Sequence, residues 1–181
     1  MRALAIAGLL TTLLGCAATP TSMPREYLDE QTAATIKVVA DPLVFAQDPG
    51  SGGRDFLNVY AIDVNRMGHH QQYLAVLQWW PEHAAAAADT PAILQLETPA
   101  ETHSLSAATQ SARELGIARQ IDSTAPREGA WFYFPVTKEV LAQVSQAASM
   151  RATLVRGERR VAYNLWQDNR ADLTGLAEAL P

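Results

Sequence analysis

The sequence predicts a mainly β domain of antiparallel strands, with one inserted helix and one C-terminal helix. Three observations predict it: segments in which apolar residues recur at every second position, turn residues between neighbouring segments, and two stretches with the period of an amphipathic helix. The leading interpretation is an antiparallel β-sandwich, of which the immunoglobulin-like fold is one form. The alternative is an α+β fold with a single antiparallel sheet covered by two helices. This alternative accounts more naturally for strands that are apolar on both faces.

The first two strands are predicted on either side of a proline. The first is predicted over Thr32 to Ala40, where Ala34, Ile36, Val38 and Ala40 fall on one face and polar residues 35 and 37 point away, as is typical of a half-buried strand. Asp41-Pro42 interrupts this pattern, and residues 42–46 form a second short strand. Residues 47–53 are rich in glycine and predict a loop, because they lack the Gly-Lys-Ser/Thr sequence of a phosphate-binding loop.

The strongest hairpin signal comes next. Residues 56–64 and 72–80 are rich in β-branched and aromatic residues, and the turn over residues 65–68 ends in glycine. Both arms are largely apolar on both faces, which predicts either central strands or a face reserved for a partner. Tyr60, Trp79 and Trp80 are the candidate residues of such a partner surface.

The remaining elements follow in order. Residues 81–90 are expected to form a short helix or a connector, and residues 92–97 a strand. Residues 98–112 carry no clear signal for either element. We expect a strand over 113–121 despite Gly116, and an aromatic strand over 131–135 that Pro135 ends. Thr137 is the predicted N-cap of a helix that runs to about Ala148. Residues 151–156 and 159–166 predict a second hairpin, and Asp168 the start of a helix with an apolar face formed by Leu173, Leu176, Ala177 and Leu180.

The beginning of the chain has the features of a secretory leader. Arg2 supplies one positive charge, and an apolar run from Ala3 to Leu14 leads to Gly15 and Cys16, the only cysteine in the chain. The sequence Leu13-Leu14-Gly15-Cys16 resembles the lipobox of bacterial lipoproteins. The resemblance implies cleavage between Gly15 and Cys16 and lipidation of the Cys16 thiol. With alanine instead of aspartate at position 17, it also implies anchoring in the outer membrane, facing the periplasm.

This reading divides the chain into a signal peptide (1–15), a lipidated cysteine with its tether (16–31) and a β-rich domain (32–181). Residues 17–24 are small, polar and interrupted by prolines, as expected of a tether. Residues 25–29 are expected to be the lead-in that docks the tether to the domain.

Composition narrows the classes of function. Removing residues 1–15 takes away one of 14 basic side chains and none of the 19 acidic ones, so the remaining chain is acidic and has no electrostatic footprint for nucleic acid. The four histidines (69, 70, 83 and 103) lack metal-ligand spacing, and adjacent histidines in a strand point to opposite faces. No Gly-x-Ser-x-Gly motif or carboxylate pair is present. We therefore assign no catalytic residue, metal or cofactor.

The expected function is non-catalytic binding or scaffolding by a domain anchored at the periplasmic face of the outer membrane. Its partners would be the membrane, through the N-terminal lipid, and an envelope protein. Beside the aromatic hairpin, Arg159 and Arg160 at the tip of the second hairpin are candidate contacts for an acidic partner or anionic lipid. Two alternatives stay open: an accessory subunit of an envelope secretion or assembly machine, and an envelope hydrolase.

Overall fold

The computed structural model describes residues 23–48, 54–79, 91–126 and 129–181 of the chain. These residues form one antiparallel sheet and two helices, α1 (Lys138–Gln146) and α2 (Arg170–Ala179). The strands are β1 (Arg25–Asp29), β2 (Ala34–Val38), β3 (Leu43–Gln47), β4 (Phe56–Arg66), β5 (His69–Trp79), β6 (Ala92–Glu97), β7 (Thr102–Ser106), β8 (Ala130–Pro135), β9 (Arg151–Arg156) and β10 (Arg159–Gln167). The predicted mainly β architecture, with one internal and one C-terminal helix, is confirmed. The predicted leader with Gly15 and Cys16 lies outside the described residues, as do Trp80 and His83.

The sheet closes into a ring. Strand β4 pairs with β5 along one edge, and with β2 and β3 end to end along the other. From β3 the pairing continues through β10, β9 and β6 to β7, while β5 pairs with β8. The chain after β7 returns to β8: Ala108 N–H donates to Tyr133 O at 2.8 Å, and Tyr133 N–H donates to Thr109 O at 2.9 Å. The strands therefore form a single hydrogen-bonded sheet, as in the second of the two predicted architectures, and not the two sheets of a sandwich.

The inside of the ring is an apolar core, because alternate residues of each strand point inward. Phe45, Leu57, Val59, Val76, Leu94, Phe132 and Leu154 are all buried there. Both helices pack against one end of this core, where Val144 of α1 and Leu173 of α2 meet inward-facing residues of β3 to β6. The space left between them is about 10 Å³, room for one water molecule at most. The helices thus close this end of the ring.

The first hairpin is longer than its predicted arms. Strands β4 and β5 pair as far as Arg66 and His69, so the turn contains only Met67 and Gly68. Both turn residues have positive φ, 52° and 87°, which matches the tight turns that follow the right-handed twist of a hairpin. The Asn65 side chain also accepts a hydrogen bond from Gly68 N–H at 2.9 Å. The prediction of a four-residue turn over 65–68 was therefore wrong by two residues.

The strand expected over residues 113–121 is the clearest error. The chain forms a short 3-10 helix instead, Ala112–Leu115, which ends at Gly116 with φ of 70°. The backbone N–H groups of Gly116 and Ile117 donate to Arg113 O and Ala112 O, so local hydrogen bonds replace strand pairing. Two strands were not predicted: β7 lies in the unassigned stretch 98–112, and the expected lead-in 25–29 is β1, which pairs with β2.

The two helices match their sequence signals. Thr137 is the N-cap of α1, and its hydroxyl accepts a hydrogen bond from Val140 N–H at 3.4 Å. Helix α2 begins at Arg170, two residues after the predicted start at Asp168, and its predicted apolar face is buried. No helix in the described part of the chain has the length and apolar character needed to cross a membrane.

Candidate binding groove

Among the residues that the structure describes, the ring is left unpaired at Trp131 of β8, and this gap is called the seam. Tyr133 directs its N–H and C=O toward Thr109 and Ala108, whereas Val136 N–H donates to Gln72 O on the β5 side. Hydrogen-bonding direction alternates along a strand, so the N–H and C=O of Trp131 point the same way as those of Tyr133. Continued pairing would place Ser111 opposite Trp131. The chain instead turns away into the 3-10 helix, and no described residue completes the edge of β8 at Trp131.

A groove of about 410 Å³ lies along this seam. Trp131 and Tyr133 form its floor, residues 110–113 form one wall, and residues 117–121 form the other. The groove is broad and open to solvent, and its lining mixes apolar and polar side chains. It can therefore receive a ligand without rearrangement of the core.

The first wall is held away from β8 by the Thr109 side chain. The Thr109 hydroxyl accepts a hydrogen bond from Ser111 N–H at 2.9 Å and donates one to the Glu114 carboxylate at 2.6 Å. The Arg66 guanidinium donates to Leu115 O at the end of the 3-10 helix. These bonds keep the turn folded on itself, so the seam stays open.

The second wall rests on β1 through Asp29. The buried Asp29 carboxylate accepts hydrogen bonds from Ala118 N–H at 2.7 Å and from Arg119 N–H at 3.0 Å. Burial alone would raise the pKa of Asp29, but these backbone donors, with those of Gln31 and Thr32, hold the pKa below its ordinary value. Asp29 therefore stabilises the wall as a carboxylate.

We expect Asp29→Asn to lower the free energy of unfolding at pH 7 by about 1–2 kcal/mol, because an amide cannot replace the charged acceptor. The folded-state pKa lies below the ordinary value of 3.8, so the carboxylate contributes its stability above that pH and loses it as the pH falls toward the folded-state pKa. The difference between the variant and the unsubstituted protein should thus shrink below about pH 4. Urea unfolding at pH 7 and pH 3 measures this. Glu26→Gln on the same strand is the control, and an equal difference at both pH values would contradict the assignment.

The groove carries positive charge although the chain as a whole is acidic. Arg113 and Arg119 line it with exposed side chains. In the part of the chain that the structure describes, neither guanidinium forms an ion pair, and that of Arg119 lies 5.1 Å from the centre of the Tyr27 ring. The nearby carboxylates are already engaged, Glu114 by Thr109 and Asp122 by Tyr60 and Thr124. The groove therefore favours an anionic ligand.

Tyr60 supports the floor of the groove from beneath. Its ring is 5.7 Å from that of Trp131, and its hydroxyl donates to the Asp122 carboxylate at 2.7 Å. Burial and this hydrogen bond raise the pKa of Tyr60, and only 1% of the residue is exposed. Tyr60 therefore cannot contact a partner directly, and its expected place on the partner surface is corrected: apolar strands and the 110–126 segment cover it.

Trp79, Arg159 and Arg160, the other described residues of the predicted partner surface, do not line the groove. Trp79 is half-buried, stacks on Phe56 at 4.6 Å and donates a hydrogen bond to Asn58 at 3.1 Å. Arg159 lies 3.6 Å from the Asp55 carboxylate, and Arg160 donates to the Gln95 side chain. Both arginines are exposed, and because neighbouring residues of a strand face opposite ways, their side chains point to opposite faces of β10.

A buried polar cluster inside the ring was not predicted. Gln78 donates to the Tyr163 hydroxyl at 2.9 Å and accepts from Arg156 at 3.5 Å, and the Arg156 guanidinium lies 5.0 Å from the centre of the Phe132 ring. Burial raises the pKa of Tyr163 to about 12, although the bond from Gln78 lowers it. The tyrosine is therefore neutral at physiological pH, and the cluster fixes how β5, β8, β9 and β10 face one another.

A second polar cluster lies near the tip of the first hairpin. His70 Nδ1 is 2.8 Å from one oxygen of the buried Asp63 carboxylate, and Gln72 donates to the other oxygen at 2.7 Å. No described serine, threonine or cysteine hydrogen-bonds His70. The described residues also contain no group of three or more histidine, cysteine, aspartate or glutamate side chains arranged to hold a metal ion. The cluster ties the two arms of the hairpin together.

The residues that define the groove carried only a partial sequence signal. Trp131 was visible as part of an aromatic strand. Arg113 and Arg119 were assigned to a strand that does not form, so their convergence on Trp131 was missed. Gly116, which lies between the two arginines, was the one sequence signal against a strand over 113–121, because a glycine inside a strand pattern often marks an irregularity. No protein-family model, curated protein or solved structure matches this chain.

Proposed function

We propose that this chain is a lipid-anchored protein of the bacterial cell envelope whose domain binds a partner without catalysing a reaction. The anchor is the acylated Cys16, and the domain works at the periplasmic face of the outer membrane. One observation carries the binding function: an open groove in which two arginines without ion pairs among the described residues flank the half-buried Trp131.

Binding fits this groove better than catalysis does. Arginines and an aromatic ring provide charge and contact area, and both residue types are enriched where proteins bind one another. Among the described residues, the groove lining contains no histidine, aspartate or glutamate that would serve as a general acid or base. The hydrolase alternative has its best candidate in Asp63 and His70, and these residues do not line the groove.

The course of the chain supports a partner close to the membrane. Residues 17–24 span roughly 25 Å when fully extended, which keeps the domain near the anchor. They lead directly into β1, and β1 holds one wall of the groove through Asp29 and through the Arg25 guanidinium, which donates to Ile121 O at 3.5 Å. An accessory subunit of a membrane-associated secretion or assembly machine would use the same surface, and it is the second candidate function.

The experiment is photo-crosslinking in intact cells, with p-benzoylphenylalanine at one position at a time. We expect the residue at position 120, on the rim of the groove, to capture one envelope protein reproducibly. Position 67 is the control, because Met67 is 99% exposed and does not line the groove. Position 160 tests the second hairpin, where the sequence predicted a contact with a partner. Capture at 67 or 160 but not at 120, or no capture above the control, would refute partner binding through the groove.

A further inference from the structure

We infer that the groove takes an extended, acidic polypeptide segment, which adds to the free edge of β8 at Trp131. This inference rests on the proposed partner-binding function and specifies the chemistry of the partner. It follows from three features of the described residues. The backbone N–H and C=O of Trp131 have no described partner, the two walls of the groove are held apart by their own hydrogen bonds, and Arg113 and Arg119 lie on the rim without ion pairs.

The strand edge supplies the backbone contacts. Trp131 N–H and C=O point into the seam, on the side where Tyr133 is paired with residues 108 and 109. An extended segment lying in the groove would take the place that Ser111 leaves, and would continue the ladder from the Thr109–Tyr133 pair. Edge addition of this kind obtains affinity from main-chain hydrogen bonds, and obtains specificity from the side chains beside the edge.

The shape of the groove favours a segment that lies along β8. The wall at 110–113 is turned away by the bonds of Thr109 to Ser111 and Glu114, and the wall at 117–121 is fixed by Asp29. The groove therefore exists without a ligand. A preformed site avoids the cost of ordering its own chain when a ligand binds.

The charge on the rim selects an acidic sequence. Arg113 and Arg119 belong to different walls, so side chains from successive positions of a bound strand can reach both guanidinium groups. Guanidinium groups bind carboxylates through paired, charge-assisted hydrogen bonds. Glu114, Asp29 and Asp122 keep their negative charge, but each accepts hydrogen bonds from other groups of the domain, and among the described residues none of them forms an ion pair with Arg113 or Arg119. A lysine-rich segment would meet like charges at both walls.

The test uses three acetylated decapeptides in which valine alternates with glutamate, glutamine or lysine, with the full chain as the receptor. Fluorescence anisotropy should rank binding as glutamate, then glutamine, then lysine. The double variant Arg113→Glu/Arg119→Glu should weaken binding of the glutamate peptide by at least roughly tenfold, as loss of close charge pairs does at interfaces. Arg151→Glu, on an exposed part of β9, is the matched control and should leave binding unchanged.

Amide hydrogen exchange distinguishes strand addition from a purely electrostatic contact. The bound glutamate peptide should slow exchange at the Trp131 amide by roughly tenfold or more, since that amide gains an acceptor. Polygalacturonate and vesicles containing phosphatidylglycerol are the competing probes. If either binds through the two arginines while the peptide does not, or if the Trp131 amide stays unprotected with peptide bound, the inference is overturned.

The two proposals fail in different ways. Capture of a partner at position 120, with no peptide binding, would leave the proposed function standing and remove strand addition. Arginine-dependent peptide binding with protection of Trp131, but no partner captured in cells, would do the reverse.

Discussion

Cys16→Ser is expected to abolish incorporation of palmitate and to move the protein from the membrane fraction to the soluble fraction. A serine hydroxyl cannot replace the thiol in the thioether to the lipid, because the thiolate is the reactive species. Without the thioether, the leader should also remain uncleaved. The effect is large because each buried methylene of an acyl chain contributes about 0.8 kcal/mol to membrane binding, and several chains would be lost. Metabolic labelling and fractionation of the producing cells measure both results.

Thr19→Ser provides the control for this substitution. It changes a neighbouring residue of the tether and leaves the lipobox intact, so labelling and fractionation should match those of the unsubstituted protein. Unchanged palmitate incorporation in the Cys16→Ser variant would end the lipoprotein proposal. The groove would then have to act without an anchor.

Phe132→Ala is expected to destabilise the domain by about 3–5 kcal/mol, the range for removing a buried aromatic side chain. Phe132 is fully buried inside the ring, 6.4 Å from Phe134 and 5.0 Å from the Arg156 guanidinium, measured to the ring centres. The substitution leaves a cavity and removes the aromatic face beneath a buried positive charge. Thermal unfolding should show a lower midpoint by on the order of 10 °C.

Trp166→Ala is the matched control, since it also removes an aromatic side chain from a strand. Trp166 is 61% exposed and contacts Arg54 at 4.9 Å. Its loss should cost less than about 1 kcal/mol, as for an exposed cation–π pair. Similar destabilisation by the two substitutions would contradict the assignment of Phe132 to the interior of a closed ring.

Local patterns predicted most of the elements, and each success has a local cause. The β9–β10 hairpin turns at Gly157, which has φ of 58°, as a glycine in a tight turn allows. The Thr137 cap and the apolar face of α2 depend on residues at most a few turns apart. Trp131 was expected in an aromatic strand, and β8 contains it. In all of these, the interactions that decide the structure lie close together in the sequence.

The errors occurred where distant residues decide the outcome. Residues 113–121 have enough apolar character for a strand, but the backbone N–H groups of Ala118 and Arg119 bond to Asp29, about 90 residues earlier. Strand β7 carries a weak pattern, and it forms because β6 offers an edge. Tyr60 resembled a surface aromatic, yet Asp122 and the segment around it cover the ring.

By itself, the sequence determined the mainly β class and the two amphipathic helices, because each depends on a pattern within one short stretch. The leader and its resemblance to a lipobox stay a prediction. Only the tertiary structure decided that the strands form one ring, in which no described residue pairs with the outer edge of β8 at Trp131. Only it brought Arg113 and Arg119 to that seam. Ring closure depends on two hydrogen bonds between Ala108, Thr109 and Tyr133, and their formation requires the whole sheet to curl. The spacing of residues along the chain does not predict that curvature, so the groove could not be predicted from the sequence.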